Sequence, residues 1–128
     1  MTTQICAGAI IQPNMKGRFS LWLILTDPSV DDEENVLMVL CVPQTARTED
    51  VTIIESDKIE GVHFSLSVDY ENLSIKRAAD IQDLIDRNLA IFRQILNSDL
   101  LTEAINGVRE SDYSDYKYRD FLLAKGLL

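Results

Sequence analysis

Two short, nearly continuous apolar runs leave this chain few ways to fold: Leu-Trp-Leu-Ile-Leu at residues 21–25 and Val-Leu-Met-Val-Leu-Cys-Val at residues 36–42. Both are rich in branched and aromatic side chains and bounded by turn formers, the pattern of strands buried on both faces. Hydrophobicity alone would also allow helices. Each run is far shorter than an ordinary helix, however, and Pro28 and Pro43 stop them. Asp27-Pro28 opens the connection, and the acidic residues 31–34 cannot be buried, so the link is expected to project into water. An antiparallel pair joined by a solvated loop, spanning residues 18–45, follows.

The rest of the composition narrows the class. A length of 128 residues with 46% apolar content suits one domain with a compact core. No apolar run approaches membrane-spanning length, and the N-terminal residues show no basic region leading into an apolar one. Cys6 and Cys41 sit in apolar surroundings without metal-ligand spacing and read as buried free thiols. These features point to a cytoplasmic protein that does not meet a membrane. A net charge of −9 sets a field that a nucleic-acid surface would have to overcome. RNA therefore needs a local basic patch, and DNA is not an expected partner.

Before the central pair, Ala9-Ile10-Ile11 forms a first strand ended by Pro13-Asn14, and Met15-Lys16-Gly17-Arg18 makes a basic turn. After it, residues 44–50 are loop-like and Val51-Thr52-Ile53-Ile54 has strand composition. Residues 62–70 then alternate. Val62, Phe64, Leu66 and Val68 fall on a core side, with His63, Ser65, Ser67 and Asp69 on a side facing solvent or a cleft. Beyond Tyr70, Ile81, Leu84, Ile85, Leu89, Phe92, Ile95 and Leu96 recur at helical spacing, with Asp86-Arg87-Asn88 a point where the stripe can break into two helices. Ser98-Asp99 reads as the N-cap of a helix carrying Leu101, Ala104, Ile105 and Val108. Asp112 or Ser114 caps a terminal segment that buries Phe121, Leu122 and Leu123. Five or so strands followed by helices predict an α+β domain on an antiparallel sheet.

The order of short strand, basic turn, Leu-Trp-Leu-Ile-Leu-Thr-Asp-Pro, a strand ending Val-Pro-Gln-Thr, then Val-Thr-Ile-Ile and Gly-Val-His-Phe-Ser-Leu-Ser-Val-Asp-Tyr resembles the PemK/MazF-like proteins. The likeness covers roughly residues 9–75 and is closest to a divergent branch of that family. It implies a small antiparallel SH3-like β-barrel over about residues 5–75 with C-terminal helices over about 78–125, all within one domain, and usually a homodimer. It also implies the toxin of a type II toxin-antitoxin system, a metal-independent endoribonuclease that cuts single-stranded RNA, needs no cofactor and is neutralised by an antitoxin protein.

Carried over residue by residue, the family's basic turn falls on Lys16-Gly17-Arg18, which makes Arg18 the phosphate contact and charge stabiliser, although Phe19 stands where that turn has proline. The Pro-Ile-Thr segment falls on Pro43-Gln44-Thr45, which makes Thr45 the hydroxyl beside the scissile phosphate. In the family's reaction a ribose 2′-hydroxyl attacks phosphorus, so the protein supplies proton transfer and positive charge rather than a nucleophile. His63, the sole histidine, is the natural acid or base. Lys16, Arg47, Ser65 and Asp69 complete the candidate binding set. Plainer roles compete: Arg18 as an exposed charge, Thr45 as a turn residue, His63 and its neighbours as a solvated sheet face, and the tyrosines at 113, 116 and 118 as rings docked on the barrel rather than base-stacking platforms. Two other functions stay open. One is a barrel without chemistry acting as an interaction module in a phage, defence or toxin-antitoxin setting; the other is a small-molecule hydrolase using His63 with Asp69 or a serine.

Overall fold

The computed structural model describes residues 4–14 and 16–128, so Met15 of the basic turn lies outside the described residues. Six antiparallel strands run β1 (Ala9–Pro13), β2 (Leu21–Ile24), β3 (Asn35–Pro43), β4 (Ile53–Ile54), β5 (Leu66–Arg77) and β6 (Ala90–Ile95), in the sheet order β4-β5-β3-β2-β1-β6. Three helices, α1 (Ala78–Asp86), α2 (Ser98–Glu110) and α3 (Tyr116–Ala124), complete an α+β domain. The expected central pair is present: β2 and β3 are antiparallel, with Leu21 opposite Cys41 and Ile24 opposite Met38.

Burial on both faces explains why the two runs are apolar without alternation. Leu21, Leu23, Leu37, Val39 and Cys41 point into the larger core, which α2 and α3 close with Ala104, Val108 and Leu122. Ile24, Val36 and Met38 point the opposite way, into a second cluster with Ile5, Ile11 and the α1 residues Ala78 and Ile81. Period two then selects the face, and both faces select for apolar side chains.

The link between β2 and β3 departs from expectation at one residue. Asp32, Glu33 and Glu34 are exposed, but Asp31 is held. Its carboxylate accepts backbone hydrogen bonds from Glu33 (3.2 Å) and Asn35 (3.0 Å) and pairs with Lys125 Nζ at 2.7 Å, where their side chains are only 13% and 21% exposed. These partners, the Lys125 hydrogen bond foremost, hold the Asp31 carboxyl below its ordinary value. A depressed carboxyl contributes stability that is complete above its unfolded value and lost as pH falls through the folded one. Urea unfolding at about pH 6 and about pH 2.5 is expected to show Lys125→Met less stable than wild type at the higher pH, with the gap narrowing in acid. A gap independent of pH would show that the pair does not couple to folding.

The helical stripe expected across residues 81–96 holds only to Asp86. Asn88 adopts the left-handed conformation (φ 59°) that ends α1, and the Leu89 N–H returns to the Leu84 carbonyl at 2.8 Å. The chain then leaves as β6, paired with β1 from Ala90 opposite Pro13 to Ile95 opposite Ala9, because β1 offers an unpaired edge whose hydrogen bonds outweigh the helical spacing of Phe92, Ile95 and Leu96. Phe64, expected inside, is 42% exposed and precedes β5 rather than belonging to it. Leu123 is 53% exposed while Leu122 is fully buried, and α3 is capped by Asp115, whose side chain accepts from the Lys117 N–H at 3.0 Å. Asn97 rather than Ser98 caps α2.

The sheet is curled, and residues 55–61 span its open side. Gln94 of β6 accepts from the Glu60 N–H (2.9 Å) and donates to the Lys58 carbonyl (3.1 Å), while Arg93 donates to the Glu60 carbonyl (2.6 Å). The segment that follows one edge strand is thereby tied to the other edge strand.

Candidate functional site

The β2–β3 register decides where the sequence candidates go. With Leu21 opposite Cys41, Arg18 precedes β2 and Thr45 follows β3 beyond the same end of the pair. Two further contacts draw other candidates to that end. Phe19 and Phe64 pack edge to face with centroids 5.1 Å apart, which sets the neighbours Arg18 and His63 on adjoining segments. The Gln44 N–H donates to the Ser65 carbonyl at 2.9 Å, joining the segments of Thr45 and Ser65.

The groups gathered there are not assembled as an acid-base pair. Arg18 and His63 are exposed, and neither side chain has a hydrogen-bond or ion-pair partner among the described residues. Lys16 is exposed in the same turn. The Thr45 hydroxyl accepts from the Arg47 N–H at 3.2 Å, and the Thr45 N–H donates to Thr48 Oγ1 at 3.0 Å, so Thr45 builds a tight turn. Ser65 Oγ donates to Glu55 at 3.1 Å.

Arg47 and Asp69 line a neighbouring cleft of about 550 Å³ between residues 47–51, the start of β5 and the end of α2. Six carboxylates line it, those of Glu49, Asp50, Asp69, Glu71, Glu110 and Asp112, against the single guanidinium of Arg47. Glu49 anchors the wall: its carboxylate accepts from the Tyr70 N–H (3.0 Å) and from Ser111 Oγ (2.6 Å), and its carbonyl accepts from Ser67 Oγ. Asp69 supports a bulge in β5, where the register slips between Val39 and Leu40, by accepting from the Glu71 N–H (3.3 Å) and Asn72 Nδ2 (2.7 Å). Lys76 sits opposite Val36, far from the Pro43 end of β3; seven residues at strand rise put it roughly 20 Å from the Arg18 end. Lys76 is therefore separated from the end where Arg18 and Thr45 lie.

A second recess, about 560 Å³, adjoins the acidic one on the outer sheet face. Trp22, Met38, Leu40 and Leu73 form its floor and Ile81 and Leu84 of α1 one wall, with Lys76 and Asp80 at its rim. It exists because α1 is short: nine residues cover about 13 Å, less than half of the nine-residue strand β3 at about 30 Å.

Several side chains are removed from chemistry. Burial, with Asp69 nearby, pushes the Cys41 thiol up to about 12, and burial and then Asp27 raise Cys6; both are free thiols. Burial likewise raises the Tyr70 phenol, which donates to the Ala104 carbonyl at 2.7 Å and shares a hydrogen bond with Thr52 Oγ1 at 2.7 Å. Tyr113 and Tyr116 are exposed rather than docked, whereas Tyr118 packs against the core. Among the described residues no group of three or more His, Cys, Asp or Glu is placed to hold a metal ion, and no helix is long and apolar enough to cross a membrane. Sequence reading missed Glu49 and the groove at Trp22. Glu49 meets Ser111 across 62 positions, a distance no local pattern reveals.

No family model matches the chain, and neither a curated protein nor a solved structure matches it.

Proposed function

We propose that the chain is a divergent PemK/MazF-like domain, an SH3-like barrel in its finer description, that works by binding another protein rather than by cutting RNA. One observation carries this reading: the polar cleft beside the predicted catalytic end presents six carboxylates and one guanidinium, in a chain whose net charge is −9. Such a field repels a phosphate backbone, and RNA binding draws most of its strength from phosphate neutralisation. The curl of the sheet, spanned by residues 55–61, supports the barrel part of the reading. A homodimer would be sought along β6, an edge strand on which Ile91 and Ile95 are each 57% exposed.

The ribonuclease reading retains one favourable observation, the Phe19–Phe64 contact that sets the segments of Arg18 and His63 side by side. In that reading Arg18 stabilises charge on phosphorus and His63 moves the proton. Incubating micromolar protein with single-stranded RNA in EDTA separates the two. The RNA is expected to stay intact, and expression without an antitoxin is expected to leave growth unchanged. Cleavage that disappears in Arg18→Ala would replace the binding reading with the catalytic one.

A further inference from the structure

The two recesses form one continuous surface. Leu40 of the apolar groove and Val42 of the acidic cleft are alternate residues of β3 and so face the same way. Asn72, in the groove, donates to Asp69, in the cleft, at 2.7 Å. Trp22 and Leu40 stand opposite each other across β2 and β3 and are both half-buried, an apolar pair on the groove floor beside α1. From Val36, at the level of Lys76, to Val42 is about 20 Å, the reach of six or seven extended residues.

We propose that this face docks an extended segment of a partner protein in which an apolar stretch lies next to a cluster of Lys and Arg, the apolar side chains over Trp22 and Leu40 and the basic ones in the carboxylate cleft. The inference rests on the protein-binding reading and adds where the partner sits and what chemistry it presents. Charge chooses the occupant: an acidic or neutral apolar segment would fill the groove but meet six carboxylates at its end, whereas a basic segment gains there. Apolar contact supplies affinity, and the adjoining carboxylates set orientation and on-rate.

Trp22 is the sole tryptophan and lines the groove, so its emission reports occupancy directly. The probe is a tryptophan-free twelve-residue peptide carrying four Leu or Phe positions followed by four Arg or Lys; the control replaces the basic positions with Glu. The basic peptide is expected to shift Trp22 emission saturably, and the acidic one to bind at least tenfold more weakly. Leu40→Glu and the exposed cleft change Glu71→Lys are each expected to weaken binding at least tenfold; the second lies on the surface, so a folding defect in the first does not remove the test. No response to the basic peptide at about 100 μM, or an equal response to the acidic one, overturns the proposal. So does a dimer of the chain alone that Leu40→Glu converts to monomer, since the occupant would then be a second copy. The RNA assay runs beside it: cleavage dependent on Arg18 defeats the protein-binding reading, whereas intact RNA with a silent Trp22 defeats the groove alone.

Discussion

Gly107→Ala is expected to destabilise the domain by about 3 kcal/mol, lowering its melting temperature by roughly 10 °C. Helix propensity alone predicts the opposite, a gain of about 1 kcal/mol for replacing glycine inside α2. The difference lies in how closely α2 approaches β5. A methyl at this position would overlap the Tyr70 ring end at Oη and Cζ and come within 2.8 Å of Thr52 Oγ1. Tyr70 is only 1% exposed and cannot swing aside without surrendering its hydrogen bonds to the Ala104 carbonyl and Thr52. Overpacking and two broken buried hydrogen bonds outweigh the propensity gain. Denaturant unfolding of the single variant, and of a double variant that also carries Tyr70→Leu, checks the argument. The second substitution makes room, so the pair is expected to be less destabilised than the sum of the two single changes. A stabilising Gly107→Ala would mean that α2 stands further from the sheet.

The elements legible in the sequence were those whose constraints are local. Residues 21–25 and 36–42 announce strands because proline and the acidic link bound them, and the structure pairs them in antiparallel register. The start of α2 is readable to within one residue, since Asn, Ser and Asp in succession offer a cap just ahead of the apolar stripe. Residues 89–96 misled because Phe92, Ile95 and Leu96 satisfy a helical period while the free edge of β1, 80 positions away, decides their fate. Phe64 misled for a related reason: strict alternation assigns it to the core, but β5 begins only at Leu66, and its ring finds Phe19 instead.

The candidate site divides in the same way. Arg18 and Thr45 could be placed at one end because the pairing of the two apolar runs puts the entry of β2 beside the exit of β3; His63 and Ser65 join that end through the Phe19–Phe64 and Gln44–Ser65 contacts, which no local pattern shows. What that end is made of could not be read. The Thr45 hydroxyl is occupied by its own turn, and Arg47, two residues on, enters a cleft walled by carboxylates drawn from three separate parts of the chain. Net charge gave the sign of that field in advance, but not that Glu49, Asp69 and Glu110 would meet around it.

Glu49→Ala is expected to cost about 2 kcal/mol and to open the cleft that it borders. Its carboxylate accepts from two donors of the cleft wall: the Tyr70 N–H in the bulge of β5 and the hydroxyl of the fully buried Ser111. Removing it takes that acceptor from both donors, and because Glu49 lines an open cleft that water can enter, the cost stays below that of a fully sealed pair. Glu49→Gln retains one carbonyl oxygen for the Tyr70 N–H and lets Ser111 rotate to accept from the new amide, so it is expected to lose roughly half as much. Urea unfolding ranks the three proteins. Amide exchange supplies a reading that stability alone does not: protection at Tyr70 should fall in Glu49→Ala by more than the global change accounts for, and recover in Glu49→Gln. If Tyr70 exchanges no faster than its neighbours in Glu49→Ala, residues 44–52 are held by their own turn and by Ser67, and the cleft keeps its wall without the carboxylate.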